Sequence, residues 1–508
     1  LNNQGTLLTG GSLTVSAPVL TNSATPQAQG PTMTGGTLNN SGTLTGQGDS
    51  ALNVTQMTNQ GQLQGDRLTL TGNELHNTGT VLGSQSLGLN VQNADNQAGG
   101  RLYSAGNLTL VTPVLNQAGS LLALGDMTLQ LGSGFTQTGT LAAGQNLSLS
   151  TQGDLNVLGT LQGNGIQLSS TGNFTNSGQL RGGGGTVGVD ASNIQLNGSG
   201  SVQSGGDIRL ASRGVLNNSG FVGGAGNVVM SAAGPLANSA LLYAGNNMQL
   251  LADSIHNNYG DILAGNSLWL QRDAAGNANS EVVNTSGDIE TTNGDITINT
   301  GHLLNQRDGL SVSGSSQTPV DAPSWLGQSS VTMRLGDLNE SDLGYYTVSV
   351  RTGGSMGQGN GSVDDHFYLA PKATAAEKKY LVSTSTVNAT ASGGAGRIAS
   401  NRDLNIAASN VDNIASNILA GGNITLSGSS LNNQSYENGV QNEYLTYKYT
   451  GVTATESFDK LHGLAYFDPD CGNCYYVDAD TNTKVTYQLA NGATYETLST
   501  GEGLRSVI

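Results

Sequence analysis

The sequence predicts an all-β fold: a long right-handed parallel β-helix with non-repetitive β excursions or a cap at its C-terminal end. Three observations predict it. A unit of about 19 to 20 residues recurs along the first part of the chain, apolar residues alternate within each unit, and glycine, at 75 of 508 residues, punctuates the units. Because such short strands cannot bury a face alone, we expect about fifteen or more units to stack coil on coil.

The repeated unit reads apolar–x–Asn–x–Gly–x–apolar–x–x–Gly–x–x–Leu–x–Leu, and its early copies begin 18 to 22 residues apart. A fixed period of this length is the sequence signature of a solenoid. The units begin at Leu1, Leu20, Leu38, Met57, Leu75, Ala94, Leu115, Phe135, Leu155, Phe174, Ile194, Leu216, Leu236 and Ile255, and less regularly at Val283, Leu303, Val411 and Leu431.

Within a unit, apolar residues alternate over four to six positions, which marks a short strand with one buried face. Glycines between these stretches supply the backbone conformations that tight corners need. Helices do not fit, because no window shows a 3.6-residue apolar period. Five leucines at the alternating positions are expected to point inward: Leu108, Leu147, Leu168, Leu210 and Leu250.

Asparagine recurs at the third position of the unit. Stacked amides at this position would hydrogen-bond from coil to coil as a ladder. Alternatively, asparagine is there because it tolerates left-handed turns. The asparagines concerned are Asn3, Asn22, Asn40, Asn59, Asn77, Asn96, Asn176, Asn218, Asn238 and Asn257.

The repeat fades after about residue 310, which predicts four segments. Residues 1–310 form the repeat rod, 311–396 a non-repetitive insertion, 397–435 resumed coils, and 436–508 a tip segment that holds nine of the sixteen tyrosines. Insertions in a solenoid map to loops and often to the binding face. The chain starts inside a repeat and shows no signal peptide, so we expect it to be a piece of a larger protein.

Charge argues against two classes of partner. Charged residues make up 10% of the chain, against about 25% in typical domains, and the net charge is −17. No lysine precedes Lys372, so a basic stripe for nucleic acid is absent from the sequence. The same acidic balance disfavours docking on anionic membranes. We predict no nucleic-acid partner.

Cys471 and Cys474 form a Cys-x-x-Cys pair and are the two cysteines of the chain. A zinc site would need two more ligands of suitable spacing, and a thioredoxin-like motif would need a βαβ context. The pair is therefore interpreted as a small disulfide of an extracytoplasmic protein.

Two other motifs resemble calcium sites. Asp478, Asp480 and Asn482 match the start of a calcium loop, but Thr483 and Leu489 stand where glycine and glutamate are needed. The glycine run 182–185, followed by Asp190, occurs once and is more typical of a corner. No metal or cofactor is predicted.

Catalysis has little support. Many enzymes that cut acidic polysaccharides are β-helices, but they need acids, histidine or arginine converging on one sheet. Here the acids are spread at about one per coil, often beside the turn glycine, as with Asp126, Asp154, Asp207 and Asp261. The five histidines form no cluster in the sequence. We predict that the chain is not an enzyme.

The units LNNQGTLLTGGSLTV (1–15), LNNSGTLTGQGDSALNV (38–54) and ILAGGNITLSG (418–428) resemble filamentous hemagglutinin repeats, which belong to the large exoproteins of two-partner secretion. The resemblance covers most of residues 1–305 and 397–434. A narrower resemblance is to the CdiA family of contact-dependent growth inhibition effectors. It implies a secreted filament on the outer surface of a Gram-negative bacterium, exported through an outer-membrane transporter.

In that family a receptor-binding region follows the first repeat region, and the segments 311–396 and 436–508 are similar to that transition. The resemblance implies binding to an outer-membrane β-barrel protein of a neighbouring bacterium: a porin, a nucleoside channel or the barrel-assembly protein. The family's secretion domain and toxin do not occur in this sequence, so the chain alone is not expected to kill a cell. The alternative is a general adhesin stalk that binds glycans or host surfaces.

We expect the two irregular segments to carry receptor specificity. The coil faces of residues 1–305 are expected to present small polar side chains and to lack the aromatic and arginine residues that dominate binding energy. The tyrosine-rich segment is favoured, although some of its tyrosines must be core residues. The candidate receptor-binding residues are Tyr444, Tyr447, Tyr449, Tyr466, Phe467, Tyr475 and Tyr476, then Trp325, Tyr345 and Tyr346.

Overall fold

A computed structural model describes residues 1–351, 363–457, 476–478 and 482–508. The chain forms two compact units. The first comprises Leu1–Leu310, Ala391–Ser435 and Arg505–Ile508, and the second comprises Ser311–Thr390 and Tyr436–Leu504. Among the described residues, no helix is long and apolar enough to cross a membrane.

The first unit is a parallel β-helix, as the repeat predicts. Its strands belong to a single sheet assembly of 39 strands. Strands β1 to β17 are Asn2–Asn3, Leu8–Asn22, Gln27–Asn40, Thr43–Gln47, Asp49–Asn59, Gln62–Asn77, Thr80–Asn96, Arg101–Ser104, Asn107–Thr112, Val114–Gln117, Ser120–Ala123, Met127–Leu131, Phe135–Gln137, Thr140–Ala143, Asn146–Thr151, Leu155–Val157 and Thr160–Gly163. Strands β18 to β34 are Gly165–Ser170, Asn173–Asn176, Gln179–Gly182, Val187–Ala191, Asn193–Leu196, Ser201–Ser204, Ile208–Ser212, Leu216–Asn218, Phe221–Gly224, Val228–Asn238, Leu241–Ala244, Met248–Asn258, Asp261–Ala264, Leu268–Gln271, Asn279–Thr285, Asp288–Thr291 and Ile296–Gln306.

The second unit interrupts the first in sequence. Its strands β35 to β39 are Ser311–Gln317, Ser330–Arg334, Leu343–Arg351, Val363–Pro371 and Glu377–Thr390, with short 3₁₀ helices at Leu335–Asp337, Glu340–Asp342 and Ala373–Ala375. The first unit resumes with β40 to β44 at Arg397–Ser400, Leu404–Ile414, Asn417–Ala420, Ile424–Ser427 and Ser430–Gln434. Strands β45 to β49 of the second unit are Gly439–Tyr449, Glu456–Ser457, Tyr476–Asp478, Lys484–Leu489 and Thr494–Ser499.

The core of the β-helix is a column of apolar side chains stacked in register. Leu147 pairs with Met127 on the preceding coil and with Ile166 on the next, both in parallel. The prediction for the five inward leucines is confirmed, because Leu108, Leu147, Leu168, Leu210 and Leu250 are all 0% exposed. Outward neighbours alternate with them, so period-two alternation and burial agree.

One predicted unit start is wrong by one residue. Val282, not Val283, pairs with Ile255 and with Leu303, and Val282 is fully buried while Val283 is half-buried. The reason is that this coil carries an extra loop before Asn279, which breaks the regular spacing. The apolar–x–Asn pattern marks the correct start, since Asn284 lies two residues after Val282.

The asparagine ladder exists in two runs. From Asn3 to Asn96 each Nδ2 donates a 2.8 Å hydrogen bond to Oδ1 of the asparagine on the next coil. The second run uses bonds of 2.8–2.9 Å and joins Asn218, Asn238, Asn257, Asn284, Asn305, Asn413 and Asn433.

Between the two runs the ladder is interrupted. Val157 and Leu196 stand at the ladder position of their coils. Asn176 lies between them, and its Nδ2 donates to the carbonyl of Ser201 instead. The ladder prediction is therefore wrong at Asn176, because its neighbouring coils offer no amide.

The β-helix closes over the sequence gap made by residues 311–390. Strand β33 pairs with β40 and β34 pairs with β41, both in parallel and in the register of the preceding coils. At the far end, Val507 pairs in parallel with Asn417, so the last four residues return to the coils.

The second unit is built from antiparallel strands of both irregular segments. Its larger sheet runs β35-β39-β45-β48-β36, with β49 also pairing with β45, and its smaller sheet runs β46-β37-β38-β47. Both segments contribute to one core, which includes Leu335, Leu343 and Tyr345 from the first and Tyr447 and Tyr487 from the second.

Candidate functional site

Three aromatic rings form the centre of the second unit. Trp325 contacts Tyr380 and Tyr447 edge-on, with ring centroids 5.0 and 5.2 Å apart. Tyr447 is fully buried, and its hydroxyl donates to the carbonyl of Gln328 and accepts from the N–H of Gly327, both at 2.9 Å. A tyrosine satisfied in this way stabilises the unit and presents no surface to a partner.

Two further tyrosines also belong to the core. Tyr345 is 6% exposed and packs against Phe367. Tyr487 is fully buried, packs against the half-buried Tyr449, and donates a 2.9 Å hydrogen bond to the carbonyl of Ala375. Burial raises the pKa of Tyr487 to about 12. Of the candidate residues, Tyr447 and Tyr345 thus hold the unit together.

A second group of aromatic side chains is half-exposed. Tyr346 stacks on Tyr368, with ring centroids 5.5 Å apart, and His366 also stacks on Tyr368, with centroids 6.5 Å apart. Residues on adjacent antiparallel strands meet in this way, since Tyr346 pairs with Tyr368 in the register of β37 and β38.

Tyr444 lies on the opposite face of β45 from Tyr447. The ammonium of Lys379 lies 4.1 Å from the Tyr444 ring centroid and also pairs with Glu496. The hydrogen bond from Lys379 lowers the pKa of Glu496. Nearby on β49, Leu498 is 64% exposed and pairs with Val440, which shares a face of β45 with Tyr444. We call Tyr444, Lys379, Glu496 and Leu498 the Tyr444 face.

Three members of the Tyr444 face were not among the residues predicted from the sequence: Lys379, Glu496 and Leu498. Lys379 is on β39 and the other two are on β49, and the two strands lie on either side of β45. Strand parity was the available signal for Tyr444, because Tyr447 and Tyr449 share one face and Tyr444 falls on the other. No local signal identifies the neighbours across strands.

Several candidate residues lie outside the described part of the chain. These are Tyr466, Phe467 and Tyr475, together with both cysteines and Asp480. Tyr476 and Asp478 are described as backbone in β47, which pairs with β38. The disulfide of Cys471 and Cys474 stays a prediction.

The scattered acids of the β-helix have a structural role at the corners. Asp126 Oδ1 accepts a 3.0 Å hydrogen bond from the backbone N–H of Asn146 on the next coil. Asp154 and Asp207 accept from the next coil in the same way, at 2.8 and 2.7 Å. These carboxylates bind backbone donors that a glycine corner would otherwise leave to solvent.

Asp261 has a different neighbourhood. It pairs in register with Asp288 on the next coil, and Arg397 follows on the coil after that. Burial, and then the charge of Asp261, raise the pKa of Asp288, while Arg397 opposes the shift.

Three histidines pair with acids across coils. His76 lies 3.1 Å from Asp95, His256 lies 2.7 Å from Glu281, and His302 lies 2.7 Å from Asp412. The three pairs lie on different coils from one another, so the histidines do not converge on one site. No group of three metal-ligating side chains occurs among the described residues.

Comparison with known proteins identifies the repeat. The haemagglutinin repeat family model matches residues 1–25, 9–73, 58–130, 103–178, 182–234, 223–290, 274–318 and 375–457. No solved structure matches the chain.

Curated relatives are much longer than this chain. A tRNA nuclease CdiA of Escherichia coli (strain STEC_O31) is 42% identical over 414 residues, which cover 81% of this chain and 12% of that protein. A deoxyribonuclease CdiA of Dickeya dadantii (strain 3937) is 43% identical over 374 residues, covering 74% of this chain and 11% of that protein. The repeats, the β-helix and these relatives agree: the chain belongs to the haemagglutinin repeat family and is a CdiA-like member of it.

Proposed function

We propose that this chain is the filament and receptor-binding region of a contact-dependent growth inhibition exoprotein. In this proposal the β-helix is displayed on the outer surface of a Gram-negative cell after export by an outer-membrane two-partner secretion transporter. The second unit binds an outer-membrane β-barrel protein on a neighbouring bacterium, so that a toxin outside this sequence is delivered. The chain itself has no catalytic role.

The observation that carries the proposal is the Tyr444 face. It combines an aromatic ring, an ion pair and the exposed apolar side chain of Leu498 on sequence that interrupts the repeat. Tyrosine is among the residues that dominate the binding energy of protein interfaces. Because the coils resemble one another, a partner could bind the β-helix at many near-equivalent positions. The second unit does not repeat, so it offers a partner one distinct surface.

The stack of Tyr346 on Tyr368 is the second part of the proposed contact surface. Both tyrosines are half-buried, so each presents part of a ring to solvent. Tyr449 and Trp325 support the proposal less, because both pack against core tyrosines. Tyr466, Phe467, Tyr475 and Tyr476 remain candidate contacts.

The test is binding of the purified chain to bacteria that each lack one outer-membrane protein, including porins, the nucleoside channel and depleted barrel-assembly protein. We expect saturable binding that disappears in one strain and falls at least about tenfold for Tyr444→Ala or Leu498→Asp. Tyr103→Ala, on a coil face, serves as the matched control and should bind normally. If no strain differs and binding to outer membranes is not saturable, the chain is instead a general adhesin stalk.

A further inference from the structure

Strand β35, Ser311–Gln317, forms one edge of the larger sheet of the second unit. All seven of its residues are exposed, and within the described part of the chain it pairs with β39 alone. In an antiparallel pair, about half of the backbone N–H and C=O groups of a strand point away from its partner. Strand β35 therefore presents a row of backbone donors and acceptors to solvent, which is a template for a further strand.

This edge carries none of the features by which proteins protect an exposed strand. Such features are charged side chains, proline, β-bulges and very short strands. The sequence of β35 is SVSGSSQ, which has no charge and no proline, and its seven residues pair with β39 without a register shift. Val312 is 46% exposed, so the edge also presents an apolar side chain.

The other two open edges among the described strands of this sheet are protected. Strand β36 has five residues and ends at Arg334, whose guanidinium pairs with Asp337 on the 3₁₀ helix that follows. Strand β49 carries the charge of Glu496, which pairs with Lys379. Two edges of this sheet thus carry charged side chains, whereas β35 carries none.

A second copy of β35 fits this edge. Two copies that pair antiparallel about Gly314 place Val312 opposite Ser316 and Ser313 opposite Ser315. This is the register that pairs all seven residues under a two-fold axis. It brings no charges together, although the whole chain carries a net charge of −17, so two acidic copies can approach closely here.

A second copy also fits better than an unrelated peptide. Strand addition takes its affinity from backbone hydrogen bonds and its specificity from pockets for alternate side chains. The side chains of β35 are mostly those of serine and glycine, which are too small to line such pockets. Self-pairing needs no pocket, because the two-fold axis makes every contact twice.

We propose that two copies of this chain associate through β35, in antiparallel pairing about a two-fold axis at Gly314. The two larger sheets then join into one continuous sheet. Both β35 edges are used up in the contact, so association stops at the dimer. One pair of seven-residue strands buries a small area, and we therefore expect a reversible dimer that dissociates on dilution.

The dimer places both Tyr444 faces on the same side of the joined sheet. A two-fold axis perpendicular to a sheet keeps each face on its own side. Ser315 pairs with Thr386, which pairs with Val440, and Val440 and Tyr444 point to the same face of β45. At about 4.8 Å per strand, the two β45 strands lie roughly 24 Å apart.

Two receptor-binding surfaces on one side of a sheet would make the dimer bivalent and increase its avidity. This consequence rests on the proposed function, whereas the dimer itself does not.

Sedimentation velocity of the full chain, at concentrations from about 1 to 200 µM, measures the association. We expect monomers at the low end of this range and dimers at the high end. Ser313→Lys with Ser315→Lys places like charges opposite each other twice across the axis and should raise the Kd of the dimer at least about tenfold. Ser313→Glu with Ser315→Glu should do the same. An equimolar mixture of the two variants should dimerise at least as well as the parent chain, because unlike charges then face each other.

Thr497→Lys with Ser499→Lys is the matched control, because it adds the same charges to β49, another exposed edge of the sheet. It should dimerise like the parent chain. Gly314 is left unchanged, because a Cβ there would lie 2.3 Å from the carbonyl oxygen of Thr386 on β39. Circular dichroism establishes that each variant is folded.

The proposal is wrong if the parent chain stays monomeric across this range, or if the lysine variant of β35 dimerises as well as the parent. It is also wrong if the mixture of folded variants stays monomeric. Dimers that survive the β35 changes and are lost in the β49 control would place the contact on β49 instead. Binding to bacteria is not a readout here, so failure of the dimer and failure of the receptor proposal are distinguishable.

Discussion

Asn305 Nδ2 donates a 2.8 Å hydrogen bond to Oδ1 of Asn413, although 108 residues separate the two in sequence. Both amides are buried, and the bond continues the ladder without a change of register. The β-helix therefore passes over the insertion as if residues 311–390 were absent. This continuity makes the insertion removable.

The first prediction concerns that removal. Both excursions leave and return at neighbouring points, since the N–H of Ser392 donates to the carbonyl of Asp308 and the N–H of Ser506 donates to Oγ of Ser435. Replacing 311–390 and 436–504 by short Gly-Ser linkers should leave a folded β-helix, measured by circular dichroism and a cooperative thermal transition.

The same double deletion should abolish binding to target bacteria. Removing whole coils between residues 40 and 200 is the control and should leave that binding nearly intact. Loss of binding in the coil deletion together with retention in the double deletion would place the receptor site on the β-helix.

The second prediction concerns the core column. Leu168→Asp would bury an unpaired charge at a position that is 0% exposed, and should cost several kcal/mol of unfolding free energy. Gln167→Asp, on the exposed face of the same strand, should change stability by no more than about 0.5 kcal/mol. Urea unfolding of both variants measures the difference, and equal effects would contradict the inward assignment.

The third prediction concerns the ladder. Asn77 accepts from Asn59 and donates to Asn96, both at 2.8 Å. Asn77→Ala would leave both neighbouring amides without this partner in the interior, at a cost of roughly 1–3 kcal/mol. Asn53→Ala, an exposed asparagine, is the control and should be near neutral. Thermal melting compares the two, and an unchanged Asn77→Ala would show that the ladder contributes little.

The fourth prediction is a pH dependence. The hydrogen bond with His302 lowers the pKa of Asp412 below its ordinary value of 3.8. A carboxyl whose pKa is lower in the folded protein than in the unfolded chain adds stability at pH values above its ordinary pKa. This contribution is lost as the pH falls through the pKa of the folded protein. Asp412→Asn should therefore be less stable than the parent at pH 7, and the difference should shrink on acidification to about pH 2.5. A constant difference across this range would show that the charge of Asp412 is not responsible.

The fifth prediction separates core from contact tyrosines. Tyr447→Phe removes a buried hydroxyl with two hydrogen bonds and should destabilise the second unit by roughly 1–3 kcal/mol. Tyr444→Ala should change stability much less and weaken binding to target cells. Both variants are measured by proteolysis of the second unit and by cell binding. The division is wrong if Tyr444→Ala destabilises the unit and Tyr447→Phe weakens binding without destabilising it.

The sequence by itself determined the β-helix. The alternation of apolar residues and the period of the repeat are local features of the sequence. Coils that are nearly identical stack in the register that turns Leu210 and Leu250 inward, because one face of each strand must be buried. The sequence also placed Asn40 and Asn59 at the same step of the repeat, but it left a ladder and a left-handed turn open, and the hydrogen bond between the two amides is seen only in the structure. Where the period was broken by a loop, the assignment slipped by one residue to Val283.

The tertiary structure alone decided what lies together across distant segments. Tyr447 is buried because Trp325 and Tyr380 reach it from the other irregular segment. Arg181, Gln203 and Tyr243 form one outward row because the coils that carry them stack in register. Such sites depend on neighbours about twenty or more residues away, and the local periods that determine a solenoid carry no information about which neighbours those are.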